Sequence, residues 1–202
     1  MAFPSVYEMT NPLTTVRKQH FWDYFSGATL NSRWTQGTIS GSPSFSMTDS
    51  GFTLDCNAGG EQGFIDFNDK RNFSHNASEM IFVMKREGTS CVGYGGLYYD
   101  FNTPAVEQAN WTNDTRDTYT VLETADASTR TSMDTTTAIH ANFATGRISC
   151  GTSNIKLYED GILTATKTTN RPTTRLQPTL TNVALTSSSQ KVHFKYCEVY
   201  NT

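Results

Sequence analysis

Cleavage of a glycosidic bond uses two carboxyl groups, about 5–5.5 Å apart when configuration is retained and about 6.5–9.5 Å apart when it is inverted. On one extended strand that requires acids two or four residues apart, because side chains alternate between faces. Glu123 and Asp126 are three apart, which puts them on opposite faces. Glu159 and Asp160 are neighbours at a turn, and Asn68, two residues from Asp66, carries an amide that cannot act as acid or nucleophile. His20, His75, His140 and His193 stand beside no nucleophile motif, and no G-x-S-x-G occurs. The spacing therefore predicts no catalytic residue and a chain that is not an enzyme. Asp66, Asn68 and Asp69, and Asp114 and Asp117, offer hard oxygens, but the D-x-[DN]-x-[DN]-G order of a calcium loop is missing. Turns and caps use the same residues. Cys56, Cys91, Cys150 and Cys197 are far apart, with no histidine at metal spacing. No metal or other cofactor is expected. Gly93-Tyr-Gly-Gly96 lacks the Lys-Ser/Thr of a phosphate loop and reads as close packing within a strand.

Sugar binding would need aromatic platforms. Trp111, Tyr98 and Tyr99 border the polar stretch 110–117, which reads as an exposed loop, so they are the candidate glycan-binding residues. The charge balance, 16 Lys and Arg against 19 Asp and Glu, lacks the basic excess that phosphate binding demands, and no nucleic acid partner is expected. No apolar run approaches the roughly 20 residues of a membrane helix, so no membrane partner is expected either. The N-terminus has no basic stretch followed by an apolar one, as a secretory signal would. The four cysteines are accordingly expected to be reduced thiols packed in the core.

Aromatics at 12% and charged residues at only 17% favour pleated sheet over helix bundles. Short β-like runs separated by turn residues cover 21–25, 44–48, 52–56, 62–67, 78–86, 92–99, 118–124, 147–150, 154–158, 162–167, 179–186 and 191–200. The stretch 79–85 is almost continuously apolar and reads as a central strand buried on both faces, with Ile81, Phe82, Val83 and Met84 in the core. In the last run Val192, Phe194 and Tyr196 alternate with His193, Lys195 and Cys197, which predicts one packed face. Asp160-Gly161 tolerates positive φ and predicts a tight hairpin. Residues 1–20 differ: Pro4 and Pro12 punctuate them, no period persists, and Phe3, Tyr7 and Leu13 are too apolar for a solvated tail. The chain thus reads as an extended N-terminal arm (1–20) and an all-β domain (21–202), with Phe3, Tyr7 and Leu13 contacting another subunit.

Three segments resemble a known family. Trp22-Asp-Tyr-Phe-Ser-Gly-Ala-Thr-Leu-Asn-Ser-Arg-Trp34 is similar to the opening of concanavalin-A-like lectin/glucanase jelly rolls, Lys156-Leu-Tyr-Glu-Asp-Gly161 to their Y-x-D-G hairpin, and the run from Val192 to Tyr200 to their closing strand. The resemblance implies a jelly-roll β-sandwich and leaves activity open, since this sandwich hosts lectins, glycosidases and structural modules. The E-x-D-x-x-E or E-x-D-x-E strand of its glucanases is absent. The segment from Phe3 to Pro12, with Gln19-His-Phe-Trp-Asp-Tyr24 and 65–77, also resembles virion structural proteins of tailed bacteriophages. That second resemblance implies a capsid decoration (cement) or tail protein in the virion, assembled in the host cytoplasm. Its partners would be other virion subunits such as the major capsid protein, and it would form a homo-oligomer. The alternative is a carbohydrate-binding module or receptor-binding tail component.

Overall fold

The computed structural model describes residues 19–48, 51–101, 107–127 and 129–202. The arm, with Phe3, Tyr7 and Leu13, lies outside the described residues. Fifteen strands and no helix are found among them: β1 (His20–Asp23), β2 (Thr35–Ser40), β3 (Ser44–Thr48), β4 (Gly51–Cys56), β5 (Gln62–Asp66), β6 (Ser78–Glu87), β7 (Cys91–Tyr98), β8 (Gln108–Asp114), β9 (Tyr119–Ala125), β10 (Arg130–Ala138), β11 (Ala144–Cys150), β12 (Ile155–Glu159), β13 (Ile162–Lys167), β14 (Gln177–Ala184) and β15 (Gln190–Asn201). They form two antiparallel sheets. The larger runs β13-β12-β11-β6-β15-β4-β3, with β1 also paired to β15; the smaller runs β10-β9-β8-β7-β14-β5-β2.

Alternation decides what lies between the sheets. Phe52 and Leu54 of β4, Phe82 and Met84 of β6, Ile148 of β11 and Leu157 of β12 point inward and meet Ile65, Leu97, Trp111, Leu122 and Leu180 from the other sheet. Two glycines let the largest rings interlock. A Cβ on Gly95 would overlap the Phe82 ring, and one on Gly146 would overlap Trp111. Phe82 and Trp111 then meet with ring centroids 5.6 Å apart. The glycines of the 93–96 run therefore do serve close packing.

β6 is central, between β11 and β15, but only one of its faces is buried. Phe82 and Met84 are fully buried; Ile81 and Val83 lie half-exposed on the outer face, against the expectation of burial on both sides. Outer layers cover the strands of parallel α/β sheets, and an all-antiparallel sandwich has none. In β15 the predicted alternation holds through Phe194 and then reverses, so that Cys197 and Val199 are buried and Tyr196 is only half-buried. A β-bulge at Lys195 inserts one residue, pairing Phe194 with Met84 and Tyr196 with Val83.

The hairpin over Asp160-Gly161 is present, with φ of 48° and 85° at its two loop residues, as a type I′ turn requires. All four cysteines are free and buried, and burial pushes the Cys150 thiol up to about 12. Three strands have no counterpart among the expected runs: β2, β8 and β10. The stretch 110–117, expected as an exposed loop, supplies most of β8, whose seven residues are all buried.

Candidate functional site

Core residues on alternate positions of the smaller sheet fix what its outer face presents. Ala109 and Trp111 point inward from β8, so Gln108, Asn110, Thr112 and Asp114 point outward. The same logic turns Tyr94 and Tyr98 of β7, Thr179 and Gln177 of β14, Phe64 and Asp66 of β5, and Val121 and Glu123 of β9 to this face. The ladders align them in rows. One row reads Thr35, Asp66, Thr179, Gly96, Asn110, Glu123, Ser132 across all seven strands. Gly96 at its centre leaves the floor without a side chain, where a Cβ would press on Asn110.

At one end of the face lies an open cleft of about 290 Å³ lined by Tyr94, Thr112, Asp114, Arg116, Glu123, Arg130 and Asp134, among others. Arg130 pairs with Glu123, which also accepts a 3.3 Å hydrogen bond from Asn110 Nδ2. Arg116 grips both oxygens of Asp114. Asp117, at the rim, has its carboxyl raised by desolvation and by neighbouring Asp114.

Towards β5 the face is closed over. The Phe101 ring sits 5.3 Å from that of Phe64 and 5.1 Å from that of Tyr98, which carries it across Thr179 between them. Asp66, Tyr98, Gln108, Gln177 and Thr179 are consequently buried. Burial, reinforced by Asp69 and Asp100, raises the Asp66 carboxyl to about 6, even though it accepts a hydrogen bond from the Asn68 backbone. Gln108 Nε2, Gln177 Oε1 and Thr179 Oγ1 are buried with no hydrogen-bond partner. Orphans of this kind cost free energy, and here they cluster on the same face as Tyr98.

The expected glycan residues separate. Trp111 is fully buried between the sheets against Phe82 and His140, so it offers no face to a sugar. Its position on a strand rather than in a loop turned it inward. Tyr98 is on the outer face but lies under Phe101. Tyr99 is 37% exposed, with the Arg71 guanidinium 3.9 Å above its ring. Asn68 and Asp69 adopt left-handed backbone, so this cluster forms a turn after β5. Glu159 is not an exposed turn residue: it is buried between the sheets and accepts hydrogen bonds from Thr120, Thr164 and His140 Nε2.

Asp66 and Glu123 share a row but are four strands apart, about 19 Å at the usual strand spacing. Glu123 and Asp134 are nearer. Glu123 pairs with Ser132, so Asp134 is one strand across and two residues along, a Cα separation of about 8 Å. Acids from neighbouring strands therefore line one cleft, which a search along single strands could not detect.

No family model matches the chain, and no curated protein matches it. Solved structures do. A native glycosidic hydrolase is 14% identical with a TM-score of 0.73, covering 93% of this chain and 98% of that one. A Bacillus licheniformis β-glucanase is 14% identical with a TM-score of 0.67, over 91% and 98%. The metal-free carbohydrate recognition domain of Emp46p is 11% identical with a TM-score of 0.61, over 84% and 88%. No comparison shows a bacteriophage relationship. The expectation that the chain is not an enzyme is overturned: the structures it resembles include a glycosidic hydrolase and a glucanase, and its own cleft gathers carboxylates from adjacent strands. At these identities the likeness shows the fold, which is the jelly-roll β-sandwich of concanavalin-A-like glucanases and lectins.

Proposed function

We propose that the protein recognises a polysaccharide along the outer face of its smaller sheet. The observation that carries this reading is the open cleft of about 290 Å³ on that face, where Tyr94 stands among Thr112, Asp114, Glu123, Arg130 and Asp134. Sugar hydroxyls both donate and accept, so they answer carboxylate, hydroxyl and guanidinium groups, while Tyr94 supplies the apolar contact that a sugar face needs. The carboxylates for a bond-breaking step at this site would be Glu123 and Asp134. Affinity electrophoresis in gels containing single polysaccharides, run with a reducing-sugar assay, tests the reading. Retardation by one polysaccharide that Arg130→Ala and Tyr94→Ala both weaken is the expected result. Loss of reducing-sugar release in Glu123→Gln, with binding retained, would place hydrolysis in the cleft. Absence of retardation across β-glucans, galactans and mannans would overturn the proposal.

A second reading, decoration of a virion shell, rests on the apolar arm, whose Phe3, Tyr7 and Leu13 suit a contact with another subunit. Its test is separate: co-sedimentation of the full chain with undecorated shells, compared with a chain lacking residues 2–18.

A further inference from the structure

The larger sheet carries a feature on its own outer face that glycan recognition on the smaller sheet does not use. Along one edge of β15, β4 pairs with Gln190 to Phe194 and β1 pairs with Cys197 to Tyr200. Lys195 and Tyr196 between them have no strand neighbour on that edge, and the bulge at Lys195 widens the gap. β4 begins at the gap with Gly51, at φ 133°, where a Cβ would collide with the Phe194 carbonyl. The result is an open pocket of about 310 Å³ lined by Thr48, Gly51, Thr53, Lys85, Glu87, Phe143, His193 and Lys195.

Its chemistry is donor-rich. Thr53, His193 and Lys85 form one cross-strand row at its floor. His193 is held on both ring nitrogens, by Thr53 Oγ1 at 2.8 Å and Glu87 Oε2 at 3.0 Å. Lys195 Nζ lies 4.1 Å from the centroid of the Phe143 ring, so an aromatic face and not a carboxylate positions it. Among the described residues neither Lys85 nor Lys195 has an ion-pair partner. Two ammonium groups lining one hollow, with no ion-pair partner among the described residues, stand out on a chain of net charge −3. Among the described lining residues the acid is Glu87, and His193 engages it.

We propose that this pocket binds an oxyanion (sulfate, phosphate or carboxylate), free or carried on a sugar, between Lys85 and Lys195. Lysine ammonium groups act as point charges for such ligands, each with three donors. The inference does not depend on the glycan reading, since it concerns the opposite sheet.

Titration of the full chain by amide NMR, with inorganic sulfate, inorganic phosphate, a sulfated oligosaccharide and its neutral parent, tests it. Saturable shifts at Lys85, His193 and Lys195 are expected, and Lys85→Met/Lys195→Met should weaken binding by about tenfold or more. Lys156→Met, on the same sheet but outside the pocket, should bind as the parent does. Glu87→Gln should bind more tightly, because it removes a negative charge from the lining. Tighter binding of the sulfated sugar than of inorganic sulfate assigns the site to a sugar-borne group; equal binding assigns it to the free anion. Unchanged melting temperatures confirm that the variants fold. Non-saturable shifts, or a double variant that binds like the parent, or an equal loss in Lys156→Met, would overturn the proposal.

Discussion

Glu159 shows how a residue's role depends on what the fold sets around it. Burial alone would raise its carboxyl, but hydrogen bonds from His140, Thr164 and Thr120 outweigh that and hold it below the usual carboxylate value. A depressed acid stabilises the fold fully above its unfolded value near 4.5 and loses that contribution as pH falls through the folded value. His140→Ala removes one hydrogen-bond partner from a buried carboxylate and should cost about 1–3 kcal/mol in urea unfolding at pH 7. Glu159→Gln should flatten the decline in stability as pH falls below the unfolded value near 4.5, and an unaltered profile there would show that the carboxylate is not ionised in the folded state. Asp66 behaves in the opposite sense. Its value is raised by burial to about 6, so folding favours its protonated form, and stability is lost as pH rises from its unfolded value of 3.8 through about 6. Asp66→Asn should raise the melting temperature at pH 8 and leave it nearly unchanged at pH 4. Neither behaviour was legible in sequence, where Glu159 read as a turn residue and Asp66 as one member of an acid cluster.

Strands are where the alternation rule works and where it fails. Half-buried Ile81 and fully buried Phe82 are neighbours on β6 with opposite environments. Ile81→Ala should cost about 1 kcal/mol, and Phe82→Ala about 3–5 kcal/mol with the cavity it opens. Similar losses for the two would mean that both faces of β6 are covered. Gly146→Ala should cost about 1–3 kcal/mol because the Trp111 ring occupies the space of the new methyl group; thermal unfolding of the single variant measures it. β8 was hidden because its outward positions are Gln, Asn, Thr and Asp, residues that individually signal turns. Its inward Ala109 and Trp111 were the only apolar cue. β15 was recognised, but its bulge was not, since an inserted residue leaves no mark on composition and shows itself only as a change in pairing.

At the scale of the molecule, the Gln19 carbonyl accepts from Asn201 and β1 pairs with β15 from His20 onward, so the described strand ladder starts after the arm. Deleting residues 2–18 should therefore leave a cooperative unfolding transition within a few degrees of the full chain. Loss of the transition would show that the arm completes the core. The two outer faces differ in character. The smaller sheet carries an acid-lined cleft beside unpartnered amides; the larger carries a lysine pocket at a break in its edge. Variants on one face should leave the ligand affinity of the other unchanged, because the packed core of Phe82 and Trp111 lies between them.

Sequence by itself determined the fold class. Period-two runs, the Asp160-Gly161 turn and the jelly-roll-like opening and closing segments are local signals, and local signals survive in a linear reading. The cysteines were expected as core thiols and all four are buried, although Cys197 read as lying opposite the packed face until the bulge at Lys195 turned it inward. Tertiary structure alone decided which acids share a cleft, that Trp111 belongs to the core, and where the two open pockets lie. Each of these depends on register between strands far apart in the chain: Glu123 against Ser132, Lys85 against His193, Gly146 beside Trp111. Register follows from the closure of the whole sandwich, and no window of residues carries it.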